Sequence, residues 1–140
     1  MSEKKMAILR RQILNYGGAS PYDELRVMKL LRVRSPQELG VLWRQGKLLC
    51  LPRDGWGPFN DGSIELLYPR WQFGAKGKLL QGLEEIILVA ALLDDPWGVA
   101  DILTSPQKIF NGRTPIDMLR DGDTSDVVRK TIKLIRRAYA

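Results

Sequence analysis

Apolar residues along this chain recur mostly at helical spacing. Ile8, Leu9, Ile13 and Tyr16, with Arg10, Arg11 and Gln12 between them and Gly17-Gly18 closing the pattern, predict a short amphipathic helix over 4–16. Ser20-Pro21-Tyr22-Asp23 reads as a second start, with Ser20 as N-cap and Pro21 at the first helical position, ahead of Leu25, Met28, Leu30 and Leu31. Ser35-Pro36-Gln37-Glu38 fits a capping box and leads into Leu39, Val41, Leu42 and Trp43 before Gly46. Two capped helices joined by so short a turn suit a helix-turn-helix.

After Gly46 the texture changes. Lys47 to Leu51 is short, apolar and closed by Pro52, and Ser63 to Tyr68 is rich in Ile, Leu and Tyr and closed by Pro69. Between them lies a tip dense in turn residues, so a β-hairpin is predicted. From Lys78 the helical pattern returns. Leu79, Leu80, Leu83, Ile86, Ile87, Val89, Ala90 and Leu93 cover more than one face, as in a central, buried helix. Shorter helices are expected over 97–104 and from Pro115, where Thr114 serves as N-cap and Asp117 stands third. A last helix from about Thr124 to Tyr139 carries Val128, Ile132, Ile135 and Tyr139 on one stripe. The expected fold is mainly α with a small β-hairpin: an N-terminal helix-turn-helix lobe, winged or MerR-like, followed by a small helical bundle. The expected units are an N-terminal helix over 1–19, the helix-turn-helix plus hairpin lobe over 20–74, and the helical domain over 75–140.

Composition narrows the chemistry. The single cysteine, Cys50, forms no internal disulfide, and the absence of histidine removes mixed Cys/His zinc sites and the commonest general base near neutral pH. There is no nucleotide-binding glycine pattern, and the paired acids Glu84-Glu85 and Asp94-Asp95 read as solvated or capping charges. No enzyme activity, cofactor or metal is expected. The longest apolar run, Ile86 to Leu93, is too short to span a membrane, and no secretory apolar region follows the basic start, so a cytoplasmic location is expected.

Charge adds a direction. The net charge is +6, and residues 1–74 hold 12 basic and 7 acidic side chains against 10 and 9 over 75–140. A basic front lobe suits double-stranded DNA, because neutralising phosphates releases counterions. Arg44, Lys47, Arg53 and Arg70 are the candidate phosphate contacts, and the helix from Ser35 to Gln45, with Gln37 and Gln45, is the candidate groove reader. Trp43 and Trp97 stand among apolar neighbours as core residues. Trp56 and Trp71 stand beside Arg53 and Arg70, either exposed for stacking or for a protein partner, or folded back on the lobe. With Arg113, Thr114 and Pro115 they form the candidate partner-binding set. The basic run of the last helix, Arg129 to Arg137, suits its own helix dipole.

Two stretches resemble a known family. Pro96-Trp97, Ser105-Pro106, the run Phe110-Asn111-Gly112-Arg113-Thr114-Pro115-Ile116-Asp117-Met118-Leu119 and the closing helix with Val127-Val128 resemble the toxin-binding domain of the Xre/MbcA/ParS antitoxin family. Ser35 to Leu39, Gly46-Lys47-Leu48-Leu49 and Tyr68-Pro69-Arg70-Trp71-Gln72-Phe73 resemble a lobe seen fused to such domains. The resemblance implies an α-helical antitoxin or DNA-binding regulator, dimeric or of higher order, whose C-terminal domain contacts a RES-type toxin that consumes NAD. The chain ends two residues after Ala138, so little extension is expected beyond the closing helix. The competing expectation is an interaction module that neutralises or scaffolds a protein partner without nucleic acid.

Overall fold

A computed structural model describes residues 2–54, 64–122 and 124–140. Trp56 and the hairpin tip lie outside the described residues. The chain is mainly helical with one small antiparallel sheet, in the order α1 (Glu3–Leu14), α2 (Glu24–Leu31), α3 (Pro36–Arg44), β1 (Leu51–Asp54), β2 (Ile64–Leu67), α4 (Leu83–Leu93), α5 (Pro96–Leu103), α6 (Pro115–Asp121) and α7 (Thr124–Ala138).

Helix starts follow side-chain caps where a short polar residue can reach the first turn. Ser2, Asp23, Asp95 and Thr114 each accept a hydrogen bond from a backbone N–H three residues on. The expected start at Ser20-Pro21 is corrected by this: α2 begins at Glu24 with Asp23 as its cap. Tyr22 is drawn instead into an antiparallel bridge with Tyr68, closed by N···O contacts of 2.8 and 3.0 Å, and two sheet bonds hold that segment extended. The predicted helix from Lys78 likewise begins only at Leu83. Phe73 bridges Leu79, and Gly82 takes the left-handed φ of 87° just before the helix.

The hairpin register pairs Leu51 with Leu67 and Arg53 with Glu65. Its first strand starts later than the run Lys47 to Leu51 suggested, because the Leu49 backbone is already occupied. The buried Gln72 amide accepts from the Leu49 N–H at 2.7 Å and donates to the Leu49 carbonyl at 2.9 Å, standing in for a neighbouring strand.

Two apolar clusters hold the molecule. The smaller gathers Val27, Leu39, Leu48, Tyr68 and Phe73 inside the front lobe. The larger centres on α4, whose Leu83, Ile86, Ile87 and Ala90 are fully buried where it packs on α3, α5 and α7. Leu49, Leu51, Leu67 and Trp71 from the front lobe, and Ile13 and Leu14 from α1, enter this same larger cluster. The hairpin is thus shared between lobes. Helix α1 packs on the bundle: the Tyr16 hydroxyl donates to Asp117 at 2.9 Å and lies 2.7 Å from the Thr114 hydroxyl.

Candidate nucleic-acid interface

Helix α3 divides its surface cleanly. Leu39 is buried, with Leu42 and Trp43 partly buried beside it, while Gln37, Val41, Arg44 and Gln45 are exposed. Those four lie at i, i+4, i+7 and i+8, which is one face of a helix. Val41 was grouped with the apolar interior by sequence pattern, and its 42% exposure corrects that. The signal was present in its spacing from Gln37 and Arg44, but the apolar run around it gave no local reason to place it outside.

The C-terminal ends of α2 and α3 are both locked by backbone geometry. After α3, Gly46 takes φ 77° and Lys47 N–H bonds Leu42 C=O at 2.8 Å while Gly46 N–H bonds Trp43 C=O at 3.1 Å, a Schellman closure. A Cβ on Gly46 would sit 2.6 Å from the Glu84 carbonyl oxygen, so the end of α3 is pressed onto the start of α4. After α2 the same pattern recurs with Arg32 in the left-handed position at φ 58°, where Val33 N–H bonds Met28 C=O at 3.1 Å. A non-glycine residue here carries strain of about 1 kcal/mol, and its guanidinium is exposed on the turn.

Arg26 and Lys29 on α2, Arg32 and Arg34 in the turn, and Arg44 and Lys47 at and just past the end of α3 are all exposed. Among the described residues none of them is in an ion pair. Sequence reasoning named only Arg44 and Lys47 of these. Arg53 and Arg70 are placed differently. Arg53 is half-buried and pairs across the hairpin with Glu65 at 3.1 Å. Arg70 is half-buried with its guanidinium 4.4 Å from the Tyr22 ring centre. Both arginines are thereby turned toward the protein itself rather than held as open phosphate contacts.

The partner-binding set largely dissolves. Trp71 is 3% exposed and its indole N–H donates to the Ile13 carbonyl at 2.8 Å, so it is a core residue and not a surface anchor. Thr114 is buried as the cap of α6, accepting from the Asp117 N–H at 3.2 Å, and Pro115 is buried behind it. Among the described members of the set Arg113 alone is exposed, and it spans α6 to pair with Asp121 at 2.5 Å. Trp97, half-buried, donates to the Pro52 carbonyl at 2.6 Å and carries Arg10 at 4.8 Å from its ring centre.

The Cys50 thiol and the Tyr68 phenol are both held toward their protonated forms. Burial pushes the Cys50 thiol up to about 11, with the Tyr68 hydroxyl pulling weakly the other way. Burial pushes the Tyr68 phenol up as well. Alkylation of native Cys50 by iodoacetamide at pH 8 is therefore expected to run about a hundredfold slower than in the urea-unfolded chain, since only thiolate reacts. Equal rates would place that thiol in water. Among the described residues no group of three or more Cys, Asp or Glu side chains gathers to hold a metal ion.

The class defined by this architecture is a mainly helical protein with a small antiparallel hairpin, and no described helix is long and apolar enough to cross a membrane. No protein-family model matches the chain, and no curated protein matches it. Among solved structures, the NMR structure of Rv2175c superposes with a TM-score of 0.61 at 20% identity, covering 84% of this chain and 82% of that one. This is a likeness of fold alone.

Proposed function

We propose that this chain is a non-enzymatic regulatory protein of the antitoxin type that binds duplex DNA through its front lobe and protein partners through its helical domain. In this reading it belongs with the Xre/MbcA/ParS antitoxins that its motifs resemble, and acts in the cytoplasm as a homodimer or higher oligomer. The observation that carries the DNA half is the outward face of α3. Gln37, Val41 and Arg44 are of the types that read adenine edges, thymine methyls and guanine edges in a major groove, and α2 and the turn ahead of α3 carry exposed cations that form no ion pair among the described residues.

A duplex pool of random sequence, titrated by fluorescence anisotropy, tests this. Affinity is expected to fall with salt at about −0.9 in log–log slope per phosphate contacted. Arg44→Ala should weaken the selected sequence by about 10- to 100-fold and relax its choice of base, whereas Lys47→Ala should weaken all sequences alike and lower the salt slope by about 1. Absent or salt-independent binding at low salt sinks the proposal.

A protein-only module is the second reading. It is favoured by Leu88 and Leu92 on α4, 41% and 80% exposed, which leave an apolar strip on the helical domain. That strip also serves the partner half of the first reading, so only the DNA titration separates the two.

A further inference from the structure

Beside the reading face of α3 lies a half-open cavity of about 360 Å³, bordered by the flank of α3, the hairpin and the corner between α4 and α5, with the exposed Asp94 at its rim. That volume falls within the range of roughly 300–1,000 Å³ typical of small-molecule sites. Gly40 and Trp43 line one side, Pro52 and Tyr68 the second, and Asp94 and Pro96 the third.

Gly40 stands in the middle of α3, where glycine is among the poorest helix formers. Its backbone is ordinary helix, and a Cβ there would meet only the Arg44 Nη1 at 3.9 Å. Neither conformation nor packing calls for glycine, and its effect is to leave one cavity wall without a side chain. The rest of the lining is apolar apart from Asp94, with two aromatic rings, Trp43 and Tyr68, among it. The sole charged lining residue is Asp94, an acid in a chain of net charge +6, and among the described residues no ion pair engages it. It also caps the C-terminus of α4, whose dipole adds negative potential at that point.

We propose that this cavity binds a small aromatic organic cation, its ring system held between the apolar walls and its ammonium group set against the Asp94 carboxylate. Because α3 forms one wall, occupancy bears directly on how the reading helix sits against the hairpin. The site itself does not depend on the DNA reading.

The test uses the whole protein without DNA. 1-Naphthylmethylammonium, 1-naphthylmethanol and 1-naphthylacetate are titrated in turn, followed by tryptophan fluorescence, to which Trp43 contributes from the wall, and by amide shifts in NMR spectra. The cation is expected to bind with a dissociation constant below about 1 mM, the alcohol about tenfold more weakly, and the acetate not detectably. Asp94→Asn keeps the left-handed cap, since Asn tolerates it, and should bring the cation down to the level of the alcohol. Gly40→Leu should abolish binding of both with an unchanged or raised melting temperature. Gly40→Ala, a milder change, should weaken both several-fold, so a misfolded leucine variant leaves the proposal testable. Equal binding of cation and acetate, an unaltered cation affinity in Asp94→Asn, or full affinity in a folded Gly40→Leu or Gly40→Ala overturns it. Each failure would leave the DNA titration unaffected.

Discussion

Trp71→Ala is expected to lower the stability of the protein by about 3–5 kcal/mol, the range for deleting a large buried aromatic ring. In a chain of this length the loss corresponds to a fall of about 10–17 °C in the melting temperature. Two contributions act together. The ring is 3% exposed within the larger apolar cluster, so its removal leaves a cavity. Its N–H also satisfies the Ile13 carbonyl, one of the acceptors that the last turn of α1 leaves without a helical partner. Trp71→Phe separates the two: most of the burial survives while the carbonyl loses its donor, at about 1–3 kcal/mol. The measurement is denaturant unfolding of the three proteins. A surface tryptophan serving a partner would change stability by no more than about 0.5 kcal/mol, and a result that small would return Trp71 to the surface.

Gln72→Leu should be nearly as damaging, at about 2–4 kcal/mol, although it exchanges a polar side chain for an apolar one in a fully buried position. The leucine leaves both the N–H and the C=O of Leu49 without partners where water does not reach. Gln72→Glu gives a pH-dependent version of the same experiment. A carboxylate accepts from the Leu49 N–H but faces its carbonyl with like polarity, and burial raises its folded pKa above the unfolded value. Its protonated form regains a donor. The stability deficit of Gln72→Glu relative to the parent should therefore be smallest below the unfolded carboxyl pKa and grow as pH rises through the raised folded one. A deficit independent of pH would show that the amide is not held against Leu49.

The two variants separate what is local from what is not. Thr114 ahead of Pro115 announced α6, because a cap and a fixed φ act within one turn and need no distant partner. The start of α3 at Pro36 was legible from the fixed φ alone, since the expected Ser35 side-chain cap does not form, and the hairpin between Cys50 and Tyr68 from two short apolar runs either side of turn residues. Ser20-Pro21 carried an equally good local signal and lost, since the backbone of Tyr22 found Tyr68 across the fold. In the candidate site, Gln37, Arg44 and Gln45 could be named from helical spacing, whereas Val41 could not be placed outside nor Trp71 inside. Arg53 and Arg70 looked like Arg44 in sequence, and only Glu65 and the Tyr22 ring distinguish them.

By itself the amino-acid order determined the kinds of element, their approximate places, the basic bias of the front lobe and the lack of any histidine-based chemistry. Those follow from caps, periodicity and composition, which act over a few residues or over the whole chain at once. The tertiary structure alone decided which aromatic rings are buried, which arginines remain turned to solvent, and that Gln72 serves the backbone of Leu49. Such outcomes depend on contacts between residues tens of positions apart, and burial against a distant surface outweighs the weak preferences that any short stretch of sequence expresses.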